Sequence, residues 1–188
     1  SNGVDRIDFI ATEHHPRDYN NSIYHGYIQG GKSYDSNGIE IDDDIFDNTA
    51  PGPEEFTQIF DAGSVAAGEY HTAWTIELEL DENEYPVCLF ITRYGTDIYG
   101  ADNGKNIGAA DHRLFYARFN GSSWTYTELS KMGAGLESWE SDYTGLGCIH
   151  PENANLIYIS TPFDPRDDTE YDNHEIFKGV TDDNGATW

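Results

Sequence analysis

The chain is poor in positive charge. It has 10 Lys and Arg against 35 Asp and Glu in 188 residues, a formal net charge of −25. Binding a phosphate backbone or an anionic lipid surface requires a clustered basic face. No nucleic-acid partner is therefore expected, and an acidic membrane surface would repel the protein. No apolar run approaches the roughly 18 residues of a membrane helix, so no membrane insertion is expected either. The opening residues Ser1-Asn2-Gly3 lead into a strand-like pattern with no hydrophobic leader, as if a targeting segment had been removed or lay outside this piece. Methionine occurs once, and no long segment shows an apolar stripe at helical spacing. There are two cysteines, in the apolar runs Val87-Cys88-Leu89-Phe90 and Leu146-Gly147-Cys148-Ile149. They are read as buried thiols, and their spacing alone does not define a disulfide.

Aromatic residues and glycine are abundant, with 13 Tyr, 4 Trp and 19 Gly. That composition suits strands and turns. Short alternating runs recur between Gly, Asn and Asp clusters, as half-buried strands do. In the middle of the chain, strands are expected over Trp74 to Leu80, Val87 to Thr92, Leu114 to Phe119 and Trp124 to Leu129. The second of these is mostly apolar, as a strand buried on both faces would be. The same order restarts with Thr144 to His150, Leu156 to Thr161 and His174 to Val180. The N-terminal part fits the frame with its first strand missing. There Ile7 to Thr12 and Ser22 to Gln29 are strands, Gly30 to Gly38 is a turn, and Phe56 to Phe60 lies on or near a fourth strand. The pieces recur at about 65 to 80 residues, longer than compact propeller repeats because of long polar loops. The expected fold is all-β, a β-propeller of four-stranded antiparallel blades, with a β-sandwich as the competing architecture. The divisions fall at 1–62, a partial blade, 63–132, a full blade, and 133–188, a second partial blade.

The last eight residues, Thr181-Asp182-Asp183-Asn184-Gly185-Ala186-Thr187-Trp188, read as Ser/Thr-x-Asp-x-Gly-x-Thr-Trp. A carboxylate can accept backbone N–H groups in a tight turn, glycine supplies a conformation closed to other residues, and tryptophan covers the turn. The motif resembles the Asp box of sialidases and related propellers, where it joins the third and fourth strands of a blade. Asn120-Gly121-Ser122-Ser123-Trp124 resembles a degenerate copy. A wider likeness runs through His14-His15-Pro16-Arg17-Asp18-Tyr19, Ser22-Ile23-Tyr24-His25-Gly26-Tyr27, Asp111-His112-Arg113-Leu114-Phe115-Tyr116-Ala117-Arg118 and Asp142-Tyr143-Thr144-Gly145-Leu146. It continues in Tyr158-Ile159-Ser160-Thr161 and His174-Glu175-Ile176-Phe177-Lys178-Gly179. These segments resemble the BNR-4 family of secreted bacterial propellers and, more distantly, the propeller-type ulvan lyases, whose catalytic centre is built from His, Tyr and Arg. The resemblance implies an extracellular or periplasmic protein acting on a polysaccharide or glycan. It also implies a ring completed by the remaining blades of the same propeller, so the present residues read as part of a longer chain.

In that frame, the loops from second to third strands and the connections between blades lie on one face. The face gathers five of the seven His and four of the ten Lys and Arg. The catalytic candidates are His14, His15, Tyr94, His112, Arg113 and Tyr143, and the substrate-binding candidates are Arg17, Tyr19, His71, Trp74, Arg93 and Arg166. Tyr and His move protons, and Arg neutralises a uronate carboxylate. Asp18, Asp97, Glu140 and Asp164 are the carboxylates a hydrolase would use. His25 and His150 are expected to be structural. No cofactor is assigned. Calcium is considered at Asp35-Ser36-Asn37-Gly38 with Asp42-Asp43-Asp44, although the spacing is not that of an EF-hand. Zinc is considered at His14, His15 and His112 if they converge. Three functions stay open: a polysaccharide lyase or glycoside hydrolase, a non-catalytic glycan-binding propeller, and a structural or adhesive surface protein.

Overall fold

A computed structural model of the chain describes residues 1–16, 19–64, 70–95, 111–136 and 144–188, with residues 64, 70, 71, 94 and 95 described by their backbone alone. Its strands are β1 (Arg6–Ala11), β2 (Ile23–Gln29), β3 (Lys32–Asp35), β4 (Glu40–Asp42), β5 (Thr57–Phe60), β6 (Tyr70–Leu80), β7 (Pro86–Gly95), β8 (Asp111–Phe119), β9 (Trp124–Gly133), β10 (Gly147–His150), β11 (Asn153–Phe163) and β12 (Glu170–Val180). They form three antiparallel sheets in chain order. The all-β expectation holds, and no described helix is long and apolar enough to cross a membrane.

The middle sheet is a four-stranded meander, β6-β7-β8-β9. Its turns are made by the residues that mark them in the sequence. Asp81 Oδ1 accepts the N–H groups of Asn83 and Tyr85 at 2.8 and 2.9 Å. Asn120 Oδ1 accepts those of Ser122 and Ser123 at 3.0 Å, beside Gly121 at φ +92°. Successive side chains of a strand point to opposite faces, and β7 is apolar on both. Val87, Leu89 and Ile91 join Leu114, Tyr116, Ile149, Ile157 and Ile159 in a core against the third sheet. Cys88 and Phe90 join Phe115, Ala117, Ile23, Ile59 and Phe60 in a core against the first. The doubly apolar run thus reflects a sheet sandwiched between two others.

The first sheet departs from expectation between Gly30 and Gly38. Gly30 and Gly31, at φ +60° and +83°, make a tight two-residue hairpin of the kind that matches strand twist. The chain then re-enters the sheet as β3. β3 pairs with the second half of β2, Gly26↔Asp35 to Gln29↔Lys32, and β5 pairs with the first half, Ile23↔Phe60 to His25↔Thr57. Together they line one side of β2, as one strand interrupted by an excursion over residues 36–56. Four residues of β3 were too few to register as a strand in the sequence pattern.

Polar bolts tie the sheets together. Between the first and middle sheets, Trp124 Nε1 donates to Ser36 Oγ at 2.9 Å, Ser36 meets His25 Nδ1 at 2.8 Å, and His25 Nε2 meets Asp8 at 3.3 Å. His25 is fully buried, as its structural reading required. Between the middle and third sheets, the Arg118 guanidinium, held at 2.7 Å by Asp81 of its own sheet, donates to Asn155 at 2.6 Å. The Tyr116 hydroxyl donates to the Ala154 carbonyl at 3.0 Å. One expectation is corrected here. Cys88 is buried but Cys148 is exposed, because the alternation of β10 sends Ile149 into the core and its neighbour outward.

The final turn is held by the residues of its motif. Asp183 accepts the backbone N–H of Thr187 at 2.9 Å and the hydroxyls of Thr181 and Thr187 at 2.7 and 2.6 Å. Gly185, at φ +94°, lies so close to Tyr116 that a Cβ would fall 2.3 Å from its ring. Trp188 stands edge-on to that ring at 4.9 Å.

Candidate functional site

Antiparallel pairing draws four residues into one row across the middle sheet. Thr72 on β6 opposes Arg93 on β7, Arg93 opposes His112 on β8, and His112 opposes Gly133 on β9. Directly opposed residues share a face. Thr72, Arg93 and His112 therefore project together, and each is at least nine-tenths buried. The row lies where β7 ends and β8 begins, at the edge toward which the loop of residues 12–22 also runs.

That loop is fastened by groups the sequence reading had given no role. The Asn21 amide donates to the His14 carbonyl at 2.6 Å and accepts the His14 N–H at 3.0 Å. Glu13 accepts the Ser22 N–H at 2.8 Å and the Tyr24 hydroxyl at 2.9 Å. The Asn21 carbonyl accepts the Ala73 N–H at 3.0 Å, and Thr72 Oγ1 donates to Asn20 Oδ1 at 3.1 Å. The loop is thus hung on β6. As a result, the His15 ring lies 5.2 Å from that of Trp74, the His14 ring lies 4.8 Å from Tyr19, and an Arg93 N–H reaches the Pro16 carbonyl at 3.4 Å. The adjacent amides Asn20 and Asn21, just before a strand, were the one signal in the sequence that could have revealed this anchoring.

His112 is oriented by its partner. Its Nδ1 lies 2.7 Å from the Gly133 carbonyl, which can only accept a hydrogen bond, so Nδ1 carries the proton of the neutral ring and Nε2 is the basic nitrogen. The third sheet is held against the same edge. Thr144 Oγ1 donates to the Met132 carbonyl at 3.1 Å, and Thr161 Oγ1 donates to the Lys131 carbonyl at 2.5 Å. His174, on β12, meets Ser160 at 3.4 Å.

The structure gathers His14, His15, Tyr19, Trp74, Arg93 and His112 around loop 12–22 and the row. Trp74 is only partly available for stacking, since it also packs on the core. Arg113 is placed differently: as the neighbour of His112 on one strand it points to the opposite sheet face, where it pairs with Asp111 and, at 2.6 Å, with Glu128. Arg166 is bound to Asp164 at 2.5 Å and lines a cleft with Leu129, Phe177 and Trp188. The Arg166 guanidinium holds the Asp164 carboxyl well below the usual carboxylate range. By backbone register His71 opposes Tyr94 and Tyr94 opposes Asp111; their side chains, and Arg17 and Tyr143 altogether, lie outside the described residues. So do Asp18, Asp97 and Glu140.

Among the described residues no group of three or more His, Cys, Asp and Glu side chains converges to hold a metal. His14, His15 and His112, considered for zinc if they converged, form no such group. Neither do the carboxylates of the stretch considered for calcium. Asp35 instead caps its own turn through the N–H groups of Asn37 and Ile39, and Asp42 and Asp44 cap theirs through Asp44 and Phe46.

No protein-family model matches the chain, and a search of curated proteins gives no match. The fold itself is one that a polysaccharide lyase also has. A solved structure described as a new family of polysaccharide lyase, PL25 ulvan lyase, bound to -[GlcA(1-4)Rha3S]-, is similar with a TM-score of 0.54 and 13% identity, over 96% of this chain. The chain spans 38% of the length of that lyase. At this identity the likeness is one of fold alone.

Proposed function

We propose that the protein is a piece of a secreted β-propeller that degrades an anionic polysaccharide by β-elimination. The observation that carries this reading is the buried row Thr72–Arg93–His112 beneath the anchored His14–His15 loop. Elimination from a uronate needs a group to neutralise the carboxylate, a base to take the α-proton, and an acid to protonate the departing glycosidic oxygen. Arg93 suits the first role and His112 Nε2 the second. His14, His15 and Tyr143 remain the candidates for the third, and Tyr19 and Trp74 for holding sugar rings.

Among the described residues, Asp164 does not suit the proton-donating role of a glycoside hydrolase. A glycoside hydrolase needs one carboxyl kept protonated and a second left ionised across the bond. Asp164 is the one described carboxylate among the hydrolase candidates. It is tied to Arg166 and accepts the Tyr171 hydroxyl at 3.1 Å, which keeps it ionised and engaged. Asp111 and Asp168, at the same edge, are paired with Arg113 and Lys131.

The propeller reading rests on consecutive antiparallel meanders packed face to face in chain order, on the turn at Thr181–Trp188 with its Asp-box sequence, and on the likeness of fold to a longer lyase. It makes the three sheets blades of a BNR-4-like ring whose remaining blades complete the site. An extracellular or periplasmic location follows from a polymeric substrate. The test is a panel of uronate-containing and neutral polysaccharides incubated with the whole protein. Ultraviolet absorbance from an unsaturated uronate supports elimination. New reducing ends without it mean hydrolysis, and binding without turnover leaves a glycan-binding propeller.

A further inference from the structure

The last three residues of β9, Lys131, Met132 and Gly133, present their carbonyls to side chains from three other segments. Thr161 Oγ1 on β11 donates to Lys131 at 2.5 Å, Thr144 Oγ1 donates to Met132 at 3.1 Å, and His112 Nδ1 on β8 lies 2.7 Å from Gly133. All three side chains belong to buried residues. The ladder shows how the strand end comes to face two ways. His112 opposes Gly133 while Arg113 opposes Lys131, so Met132 is an extra residue, a β-bulge of the kind that re-aims a strand. Met132 is itself locked in the core between the middle and third sheets. Gly133 then takes φ +76°, a left-handed conformation that favours glycine. The end of β11 closes over it: a Cβ at Gly133 would fall 3.1 Å from Phe163 and 3.2 Å from Pro162.

The Thr161 hydroxyl has a fixed direction. It accepts the Phe163 N–H at 3.1 Å and directs its one proton to Lys131. The end of β9 is thus gripped by the third sheet on one side, while its final carbonyl meets His112 on the other. A neutral imidazole carries one proton, and the partner of one ring nitrogen decides which nitrogen holds it. We propose that Thr161 and Gly133 are positioning residues for His112. Thr161 fixes the bulged end of β9, and the Gly133 backbone turns the terminal carbonyl onto Nδ1. The third sheet thereby keeps Nε2 as the unprotonated nitrogen of a ring on the middle sheet. This rests on the reading of His112 as the base, and adds to it how the basic nitrogen is set.

Isotopic labelling of the histidine ring nitrogens in the whole protein reads the tautomer through long-range proton–nitrogen NMR spectra. His112→Gln identifies the His112 ring by the signals it removes. The unaltered ring is expected in the Nδ1–H form. Thr161→Val removes the hydroxyl at nearly constant volume, and the Nε2–H form should then appear. Gly133→Ala, which disturbs the carbonyl itself, should produce the same change more strongly. Where the unaltered protein releases unsaturated uronate, Thr161→Val should lower kcat by ~10-fold or more at unchanged KM, as misplacing a catalytic group does. Thr161→Ser keeps the hydroxyl and should restore the Nδ1–H signals. An Nε2–H ring in the unaltered protein would overturn the proposal, and that measurement needs no variant to fold. So would unaltered ring signals in a folded Thr161→Val or Gly133→Ala chain, or a Thr161→Ser chain that changes them as much as valine does. If the ring responds as expected while no unsaturated uronate is released, the positioning holds and the reading of His112 as the base falls.

Discussion

Asn21 and His14 are bonded twice, the amide side chain of one closing on the backbone N–H and carbonyl of the other at 3.0 and 2.6 Å. Asn21 has no exposed surface, so no water can replace it. Asn21→Ala is expected to cost about 2 kcal/mol, the usual penalty for leaving buried backbone groups unpaired. Urea denaturation measures the loss. Hydrogen exchange should locate it, with the amides of residues 13–22 losing protection before those of the middle sheet.

The final turn gives a pH signature. Hydrogen bonds from Thr187, first its hydroxyl and then its N–H, and from the Thr181 hydroxyl lower the Asp183 pKa to about 2. The folded value lies below the roughly 3.9 of an unfolded aspartate. Its contribution to stability is therefore complete above about pH 4 and is lost as the pH falls through about 2. The melting temperature of the unaltered chain should exceed that of Asp183→Asn at pH 5, and the gap should close by pH 2. A carboxyl titration followed by NMR reads the pKa directly.

Gly185 tests the same turn sterically. Its φ of +94° strains any side chain, and a methyl there meets the ring of Tyr116, which is 1% exposed and fixed in the core. Gly185→Ala is expected to destabilise by about 2 kcal/mol or more. A melting curve for this variant beside the unaltered chain checks it.

Arg118 links the middle sheet to the third through Asn155, and within its own sheet it pairs with Asp81, whose side chain is 3% exposed. Arg118→Met leaves that carboxylate buried without its cation and should cost about 3 kcal/mol. Adding Asp81→Asn removes the stranded charge while keeping an oxygen for the turn N–H groups. The double variant should therefore be more stable than Arg118→Met alone, as paired denaturation curves would show.

The strands of the middle and third sheets were legible in the sequence because their alternation is regular and their turns are marked by Asp81, Asn120 and Asn153. The first sheet was less so. β3 is short, and its continuation β5 is separated from it by the excursion, a break that local periodicity cannot bridge. The site was legible as a set of residue types at strand ends. Its arrangement was not, because it depends on which strand faces which. His112 and Arg113 are adjacent in sequence, yet pairing across the sheet sends one to Arg93 and the other to Glu128. Glu13, Asn21 and Thr72 went unrecognised as anchors, since hydrogen bonds between distant segments leave no local pattern. In the acidic stretch considered for calcium, Asp35, Asp42 and Asp44 each cap their own turn.

The most direct test of the elimination chemistry is the rate at which His112→Gln releases unsaturated uronate from a uronate-containing polysaccharide, relative to the unaltered whole protein. Glutamine keeps a hydrogen-bond donor for the Gly133 carbonyl but has no basic nitrogen. If His112 is the base, the absorbance rises with the unaltered protein and its rate falls at least ~100-fold in the variant, with the melting temperature and polysaccharide binding retained. An unchanged elimination rate in the variant, or cleavage by the unaltered protein without any unsaturated product, would contradict this account.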